Sequence, residues 1–219
     1  MWEVLTSQER LKSISPEQDS LLTSKGIKID ITIVSHVITS LPKAEERGKE
    51  QQLELKELVE ETMNIFQVQK TEDLGTAVFE AIRNEETEKY DSFCNMTNDL
   101  SKDWMQMIFQ YYQADRKEKK QDYTPKSLAQ LMAKLSGDTE VVQDLCAGSG
   151  ALTIQKWCMH PSTKFELHEI DDRVIPFLLF NMIVRNIDCT VYHEDVLRQE
   201  TFHIYRITKG DRYGIFKEV

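Results

Sequence analysis

The residues in this chain with chemistry to offer are acids and glycines, and they come in a fixed order. Val141-Val142-Gln143-Asp144 reads as an apolar strand ending on a carboxylate, Leu145-Cys146-Ala147-Gly148-Ser149-Gly150 as a small-residue turn, and Ala151-Leu152-Thr153-Ile154 as the opening of a helix. Gly148 and Gly150 admit positive φ and let a ligand approach the backbone, while the first N–H groups of the helix lack intrahelical partners at its electropositive end. This is a cradle for a nucleotide-type ligand. Asp144 narrows the choice, because a carboxylate at the strand tip repels phosphate and suits an ammonium group. An amino-acid-bearing nucleoside is favoured over a dinucleotide.

Two further acids stand at corresponding places. Glu169, in Phe165-Glu166-Leu167-His168-Glu169-Ile170-Asp171, lies nineteen residues beyond Gly150, where a second strand puts a carboxylate beside a ribose. It can accept from two ribose hydroxyls. Asp195, in Tyr192-His193-Glu194-Asp195-Val196-Leu197, follows a third strand and can accept from an adenine amino group, with Ile170 and Val196 clamping the ring faces. Any one acid alone reads as a helix cap or a loop charge, as Asp171, Asp172 and Glu194 do. Three at successive strand ends beside a glycine turn read as a cofactor site.

Such a row of acids requires alternating strands and helices to carry it. The pattern predicts a helix over 127–135 after Tyr123-Thr124-Pro125, then a strand over 141–144, a helix over 151–159, a strand over 165–168, a helix over 172–186 and a strand over 189–192. That alternation implies a parallel sheet with helices on its faces and ligands at the carboxyl ends of its strands. Pro176 removes a backbone donor, so the last helix is expected to start a few residues late.

The first 120 residues read mainly as amphipathic helices. Leu53, Leu55, Leu58, Val59, Met63 and Phe66 form one stripe, and Leu74, Ala77, Val78 and Ile82 another. Ile33, Val34, Val37, Ile38 and Leu41 have helical spacing, although Ile27, Ile29 and Ile31 fit a strand equally well. The aromatic run from Trp104 to Tyr112 has the 3–4 spacing of a buried helix face, which suits it better than base stacking. A polar stretch over 113–121 suggests a boundary near 120, giving a helical N-terminal domain over 1–120 and a cofactor-binding domain over 121–219.

Composition sets outer limits. The chain has 219 residues, 40% of them hydrophobic, enough for a real core, and a formal net charge of −10. Up to residue 120 there are 16 basic and 23 acidic residues, and 11 and 14 after it, so neither part is a basic nucleic-acid platform. The cluster Arg116-Lys117-Glu118-Lys119-Lys120 reads as a solvated linker. Cys94, Cys146, Cys158 and Cys189 form no Cys-x-x-Cys and have no histidine at ligand spacing, so reduced thiols in a cytoplasmic protein are expected, with no metal site. No run of about eighteen apolar residues and no basic-then-apolar leader is present, so neither export nor membrane insertion is expected.

The segment over 121–197 resembles the cofactor-binding half of adenine-specific DNA methyltransferases, most of all the modification subunits of type I restriction systems. The matching pieces are Asp122-Tyr123-Thr124-Pro125 before a helix, Asp144 through Gly150, His168-Glu169-Ile170-Asp171 ahead of Asn181-Met182-Ile183-Val184-Arg185-Asn186, and Glu194-Asp195-Val196-Leu197. Leu74-Gly75 and Glu80 look like the end of that family's helical N-terminal domain. The resemblance implies a Rossmann-like fold and S-adenosylmethionine as cofactor. By resemblance, the methionine end falls to Asp144 and the Cys146-Ala147-Gly148-Ser149-Gly150 backbone with Tyr123, Thr124 and Pro125, the ribose to Glu169 and the adenine to Asp195. NAD is the runner-up, since it also suits Glu169, but its pyrophosphate would meet Asp144 unfavourably. The resemblance further implies a site-specific, adenine-directed enzyme with DNA as its partner.

Methyl transfer to an exocyclic amino group needs that group held in line with the sulfonium, which the family achieves with an Asn- or Asp-Pro-Pro-Tyr/Phe loop on a flipped base. Pro16, Pro42, Pro125, Pro161 and Pro176 are never adjacent, so these 219 residues contain no such loop, and no Pro-Cys nucleophile either. The residues after Asp195 are expected to add one strand or a hairpin around Lys209-Gly210-Asp211, leaving the parallel sheet incomplete. Three readings stand: an adenine-directed methyltransferase, a non-catalytic S-adenosylmethionine-binding or regulatory module, and a methyltransferase for a non-DNA acceptor. No catalytic residue is nominated, and His168 is assigned a local packing role. An open sheet edge would have to be covered by the N-terminal helices, a partner subunit or a second copy, so self-association or a partner is expected.

Overall fold

The computed structural model describes residues 49–112 and 124–219. The pattern at 27–41, the linker and Tyr123 lie outside these residues. Four helices come first: α1 (Lys49–Phe66), α2 (Leu74–Arg83), α3 (Thr87–Thr97) and α4 (Trp104–Tyr112), with a single 3-10 turn, Thr71–Asp73, ahead of α2. The second stretch runs α5 (Lys126–Leu135), β1 (Val141–Asp144), α6 (Ala151–Met159), β2 (Lys164–Glu169), α7 (Ile175–Val184), β3 (Cys189–Asp195), β4 (Glu200–Thr208) and β5 (Ile215–Glu218). Helix α7 does start late, with Pro176 in its first turn, where the missing N–H would have had no partner anyway.

The strands form one sheet in the order β1-β2-β3-β4-β5. β1, β2 and β3 are parallel, as the alternation predicts, but β3-β4 and β4-β5 are antiparallel, so the sheet is mixed rather than parallel throughout. Connection length is the reason. Only residues 196–199 separate β3 from β4, and a parallel crossover needs about a dozen. The expected hairpin is there, with Lys209-Gly210-Asp211 in its connection.

Helix α7 explains how the parts hold together. Its sequence, Ile-Pro-Phe-Leu-Leu-Phe-Asn-Met-Ile-Val, is apolar all round, and nine of its ten residues are buried. A helix of that kind must be covered on every side. The sheet contributes Leu167 and Val191 to the same core, and the N-terminal helices contribute Phe66, Tyr90 and Phe93. All three of those rings present an edge to Phe180, with centroids 5.5, 5.5 and 5.1 Å away. Phe109 on α4 meets Phe177 at 5.7 Å and is buried with Met105 and Ile108, whereas Tyr111 of the same run is about half exposed. The described residues form one compact unit around this core, shared by α1–α4 and the sheet.

Burial alternates along the strands. Phe165, Leu167, Cys189, Val191, Tyr205 and Ile207 are buried, whereas their neighbours Glu166, Thr190, Tyr192, Ile204 and Arg206 are not. One face of the sheet therefore carries the core and the other is polar. β1 is an edge strand, and Val141 and Leu145 are each about half exposed there. Among the described residues no helix is long and apolar enough to cross a membrane, and no group of three or more His, Cys, Asp or Glu is placed to hold a metal ion.

Candidate cofactor site

Strand register places the three acids. Asp144 pairs with Leu167 and Leu167 with Val191, so β2 reaches Glu169 two residues further on and β3 reaches Asp195 four residues further on. At about 3.3 Å per residue, each tip overshoots the one before by about 7 Å. The even offsets put all three acids on the face that carries the core, along one diagonal of strand ends. The structure thus brings Asp144, Glu169 and Asp195 to one rim.

The turn between β1 and α6 is tied down by its own hydrogen bonds. Asp144 Oδ1 accepts from the Cys146 N–H at 3.2 Å, Ala147 N–H donates to the His168 carbonyl at 2.9 Å, and Gly150 N–H closes back on the Ala147 carbonyl at 2.9 Å. Gly148 N–H donates to Glu169 Oε2 at 2.8 Å, joining the tips of β1 and β2. Glu169 Oε1 also accepts from the N–H groups of Ile170 and Asp171, at 2.9 and 2.8 Å. A carboxylate offers about four lone pairs, so with three engaged Glu169 keeps one acceptor position, on Oε2.

The two glycines differ in what surrounds them. Gly148 has φ +55 and nothing within 4 Å of where a Cβ would sit, so the space beside it is open. Gly150 has φ +97, and a Cβ there would lie 2.7 Å from Met182 Cε and 3.1 Å from Leu178 Cδ1. The close approach at Gly150 is therefore made by α7.

Asp144 is the uncompensated group. Its Oδ2 is buried without a hydrogen-bond partner, and burial pushes its carboxyl above the ordinary range, only partly opposed by the Cys146 N–H and by His168. In the first turn of α6, Thr153 Oγ1 is likewise buried and unpartnered. Asp195, by contrast, is engaged in its own turn, where Oδ1 accepts from the N–H groups of Leu197 and Arg198 at 3.0 Å each. Ile170 is 56% exposed beside Glu169, and its carbonyl lies 3.3 Å from His193 Nε2. Val196 directly follows Asp195. Thr124 and Pro125 precede α5, whose first turn closes on the Pro125 carbonyl, and no hydrogen bond among the described residues joins them to the glycine turn.

The sequence profile of the N-6 DNA methylase family matches residues 49–211. The chain belongs to that family. The match takes in α1–α4 as well as the strand tips, so the helical layer and the rim of acids lie within one matched stretch. No match was found among curated proteins or among solved structures.

Sequence reading missed two sets of residues around this site. Asp103 caps α4 and also bonds Ser149 and Asn181. An acid directly before a helical run is a capping signal that could have drawn attention to it. Glu194, taken as a cap or loop charge, instead bonds His168 and Thr201, at 2.7 and 2.8 Å. Which strands lie beside each other decides that pairing, and no local signal carries it.

Proposed function

We propose that the strand-turn-helix unit at Asp144 binds S-adenosylmethionine, and that the chain serves methylation of the exocyclic amino group of adenine in DNA. The observation that carries this is the buried, unpartnered Asp144 Oδ2. An orphaned buried carboxylate oxygen destabilises the fold by about 1–3 kcal/mol, and a ligand ammonium is the donor that removes the penalty. NAD would bring a pyrophosphate to the same carboxylate and leave it uncompensated.

In this reading Asp144 holds the ammonium of the methionyl end, with the backbone of Cys146–Gly150 and the Tyr123-Thr124-Pro125 segment around it. The open space at Gly148 suits that part of the ligand, since a side chain there would fill it. Glu169 has one acceptor position left for a ribose hydroxyl without releasing Gly148. Asp195 accepts from the adenine amino group, between Ile170 and Val196. S-adenosylmethionine supplies an electrophilic methyl group on a sulfonium. The residues named here bind and orient; none of them is assigned a proton transfer.

A second reading, a cofactor-binding module without its own transfer step, is favoured by one observation: no two of the five prolines are adjacent, so the sequence holds no Pro-Pro loop. Calorimetric titration with S-adenosylmethionine and with NAD tests the cofactor, and tighter binding of NAD overturns the assignment. Transfer of labelled methyl to duplex DNA, with and without candidate partner proteins, separates the two readings. Cofactor binding with no transfer under either condition selects the second.

A further inference from the structure

Asp103 lies in none of the motifs, yet its carboxylate reaches the glycine turn. Oδ2 accepts from the Ser149 hydroxyl at 2.6 Å. Oδ1 accepts from Asn181 Nδ2 at 2.8 Å and from the Gln106 N–H at 2.9 Å, the second bond capping α4. The same Asn181 nitrogen donates to the Ser149 carbonyl at 2.8 Å. Ser149 is thus gripped at both its hydroxyl and its carbonyl.

That grip matters because of where Ser149 sits. Its neighbours, Gly148 and Gly150, are the residues freest to rotate, and both have positive φ. The hydrogen bonds of Ala147, Gly148 and Gly150 hold the turn on either side of Ser149, and the clamp holds Ser149 itself. Arg185 braces the clamp from behind, donating to Asn181 Oδ1 at 2.8 Å, to the Leu100 carbonyl at 2.9 Å and to the Lys102 carbonyl at 2.7 Å. Ser149, Asn181 and Arg185 are each less than 5% exposed. A fully bonded buried network of this kind specifies one geometry, because any other leaves a buried group unpaired.

We propose that Asp103 is a positioning residue that works through Ser149 to set the conformation in which the Gly148–Gly150 turn receives its cofactor. The helical layer is thereby coupled to the site. The cofactor part rests on the function proposed above, but the conformation of the turn can be read without any cofactor. A simple helix cap would stabilise α4 and leave the turn alone.

The test uses the full chain and the variants Asp103→Asn, Ser149→Ala and the double variant. Asp103→Asn keeps Oδ1 for Gln106 and Asn181 and replaces the short charge-assisted bond from Ser149 with a weaker neutral one of opposite direction. Amide hydrogen exchange at Gly148, Ser149 and Gly150 is followed without cofactor, and S-adenosylmethionine affinity is measured by calorimetry. Each single variant is expected to speed exchange at the turn by about tenfold and to weaken affinity by about tenfold, with the double variant no worse than Ser149→Ala alone. Unchanged turn exchange and affinity in both single variants, or additive effects in the double, reduce Asp103 to a cap and overturn the proposal. If the parent chain does not bind S-adenosylmethionine, the cofactor assignment fails, and exchange at the turn alone decides the positioning role. Should Asp103→Asn not fold, Ser149→Ala, which leaves the α4 cap intact, carries the same readouts.

Discussion

His168 Nδ1 lies 2.7 Å from Glu194 Oε1, joining β2 to β3 on the polar face of the sheet, directly behind the candidate site. Gln143 Nε2 stands 3.1 Å from the other ring nitrogen, and Thr201 donates to Glu194 from β4 at 2.8 Å. The His168 ring thus bridges Gln143 and Glu194, one nitrogen to each. Gln143, His168 and Glu194 each immediately precede one of the three acids, Asp144, Glu169 and Asp195. Alternation along a strand then puts a bonded row on one face and the row of acids on the other. The bonded row keeps the strand register that sets the diagonal of acids.

Replacing His168 with Leu leaves Gln143 without its partner and Glu194 with Thr201 alone, a loss of about 2 kcal/mol in urea unfolding at neutral pH. Glu194→Gln tests the charge. Its carboxyl is held below the ordinary 4.5, first by the Thr201 hydroxyl and then by His168. The stability this brings is present above the ordinary value and is lost as pH falls through the lower folded value. The parent should exceed Glu194→Gln by about 1 kcal/mol near neutrality, and the gap should close as pH falls below the ordinary carboxylate range. A gap that does not change with pH would count against this assignment.

Asp144→Asn is expected to move stability and binding in opposite directions. Burial raises the Asp144 carboxyl, so its ionised form destabilises the folded chain, and that penalty grows as pH rises from the ordinary 3.8 through the folded value. Neutral Asn keeps an acceptor for the Cys146 N–H and removes the cost of the buried charge, while its Nδ2 takes the unpartnered place of Oδ2. The cofactor-free variant should gain about 1 kcal/mol at neutral pH while S-adenosylmethionine affinity falls by about thirtyfold or more. Thermal unfolding and calorimetry on the same samples decide it. A variant that is both less stable and equally good at binding would make Asp144 a structural residue.

Much of this rim is legible in the sequence, because the elements from β1 to β3 have apolar periods of the right length and end on acids. The helix α3 went unnoticed, since only Tyr90, Phe93 and Thr97 of its eleven residues are buried and its stripe is too thin to register. The antiparallel turn at β4 is set by a connection of four residues, which apolar patterning does not weigh. The partners of Asp103 lie 46 and 78 residues away, and such pairings exist only once α4 has docked on α7. Gly148 and Gly150 look alike as letters; what differs is the proximity of Met182 and Leu178, which the fold alone supplies.

The two glycines should accordingly part company on substitution. Gly148→Ala places a methyl in open space at φ +55, which costs about 1 kcal/mol for the left-handed backbone and nothing for packing. The methyl stands where the methionyl end is proposed to lie, so affinity for S-adenosylmethionine should fall at least tenfold. Gly150→Ala meets Met182 and Leu178 at φ +97, and about 2–3 kcal/mol is expected to be lost from strain and displaced packing. Urea midpoints and calorimetry on both variants measure the contrast. Equal losses of stability at the two positions would contradict the packing described for α7.

Arg185 gives the strictest check on how the helical layer is joined to the sheet. Nε donates to the Leu100 carbonyl, Nη1 to the Asn181 carbonyl and side chain, and Nη2 to the Lys102 carbonyl, so one planar fork ties the chain before α4 to the end of α7. Burial draws its guanidinium down to about 10, against the pull of Asp103. Lysine keeps the charge but brings its donors to a single point, and it cannot serve the Leu100 and Lys102 carbonyls along with Asn181. Arg185→Lys should therefore lose about 3 kcal/mol, nearly as much as removal of the charge, because acceptors are left buried and unpaired in either case. Chemical unfolding at neutral pH measures the loss. A lysine variant within about 1 kcal/mol of the parent would mean that charge, rather than the geometry of the fork, holds the two layers together.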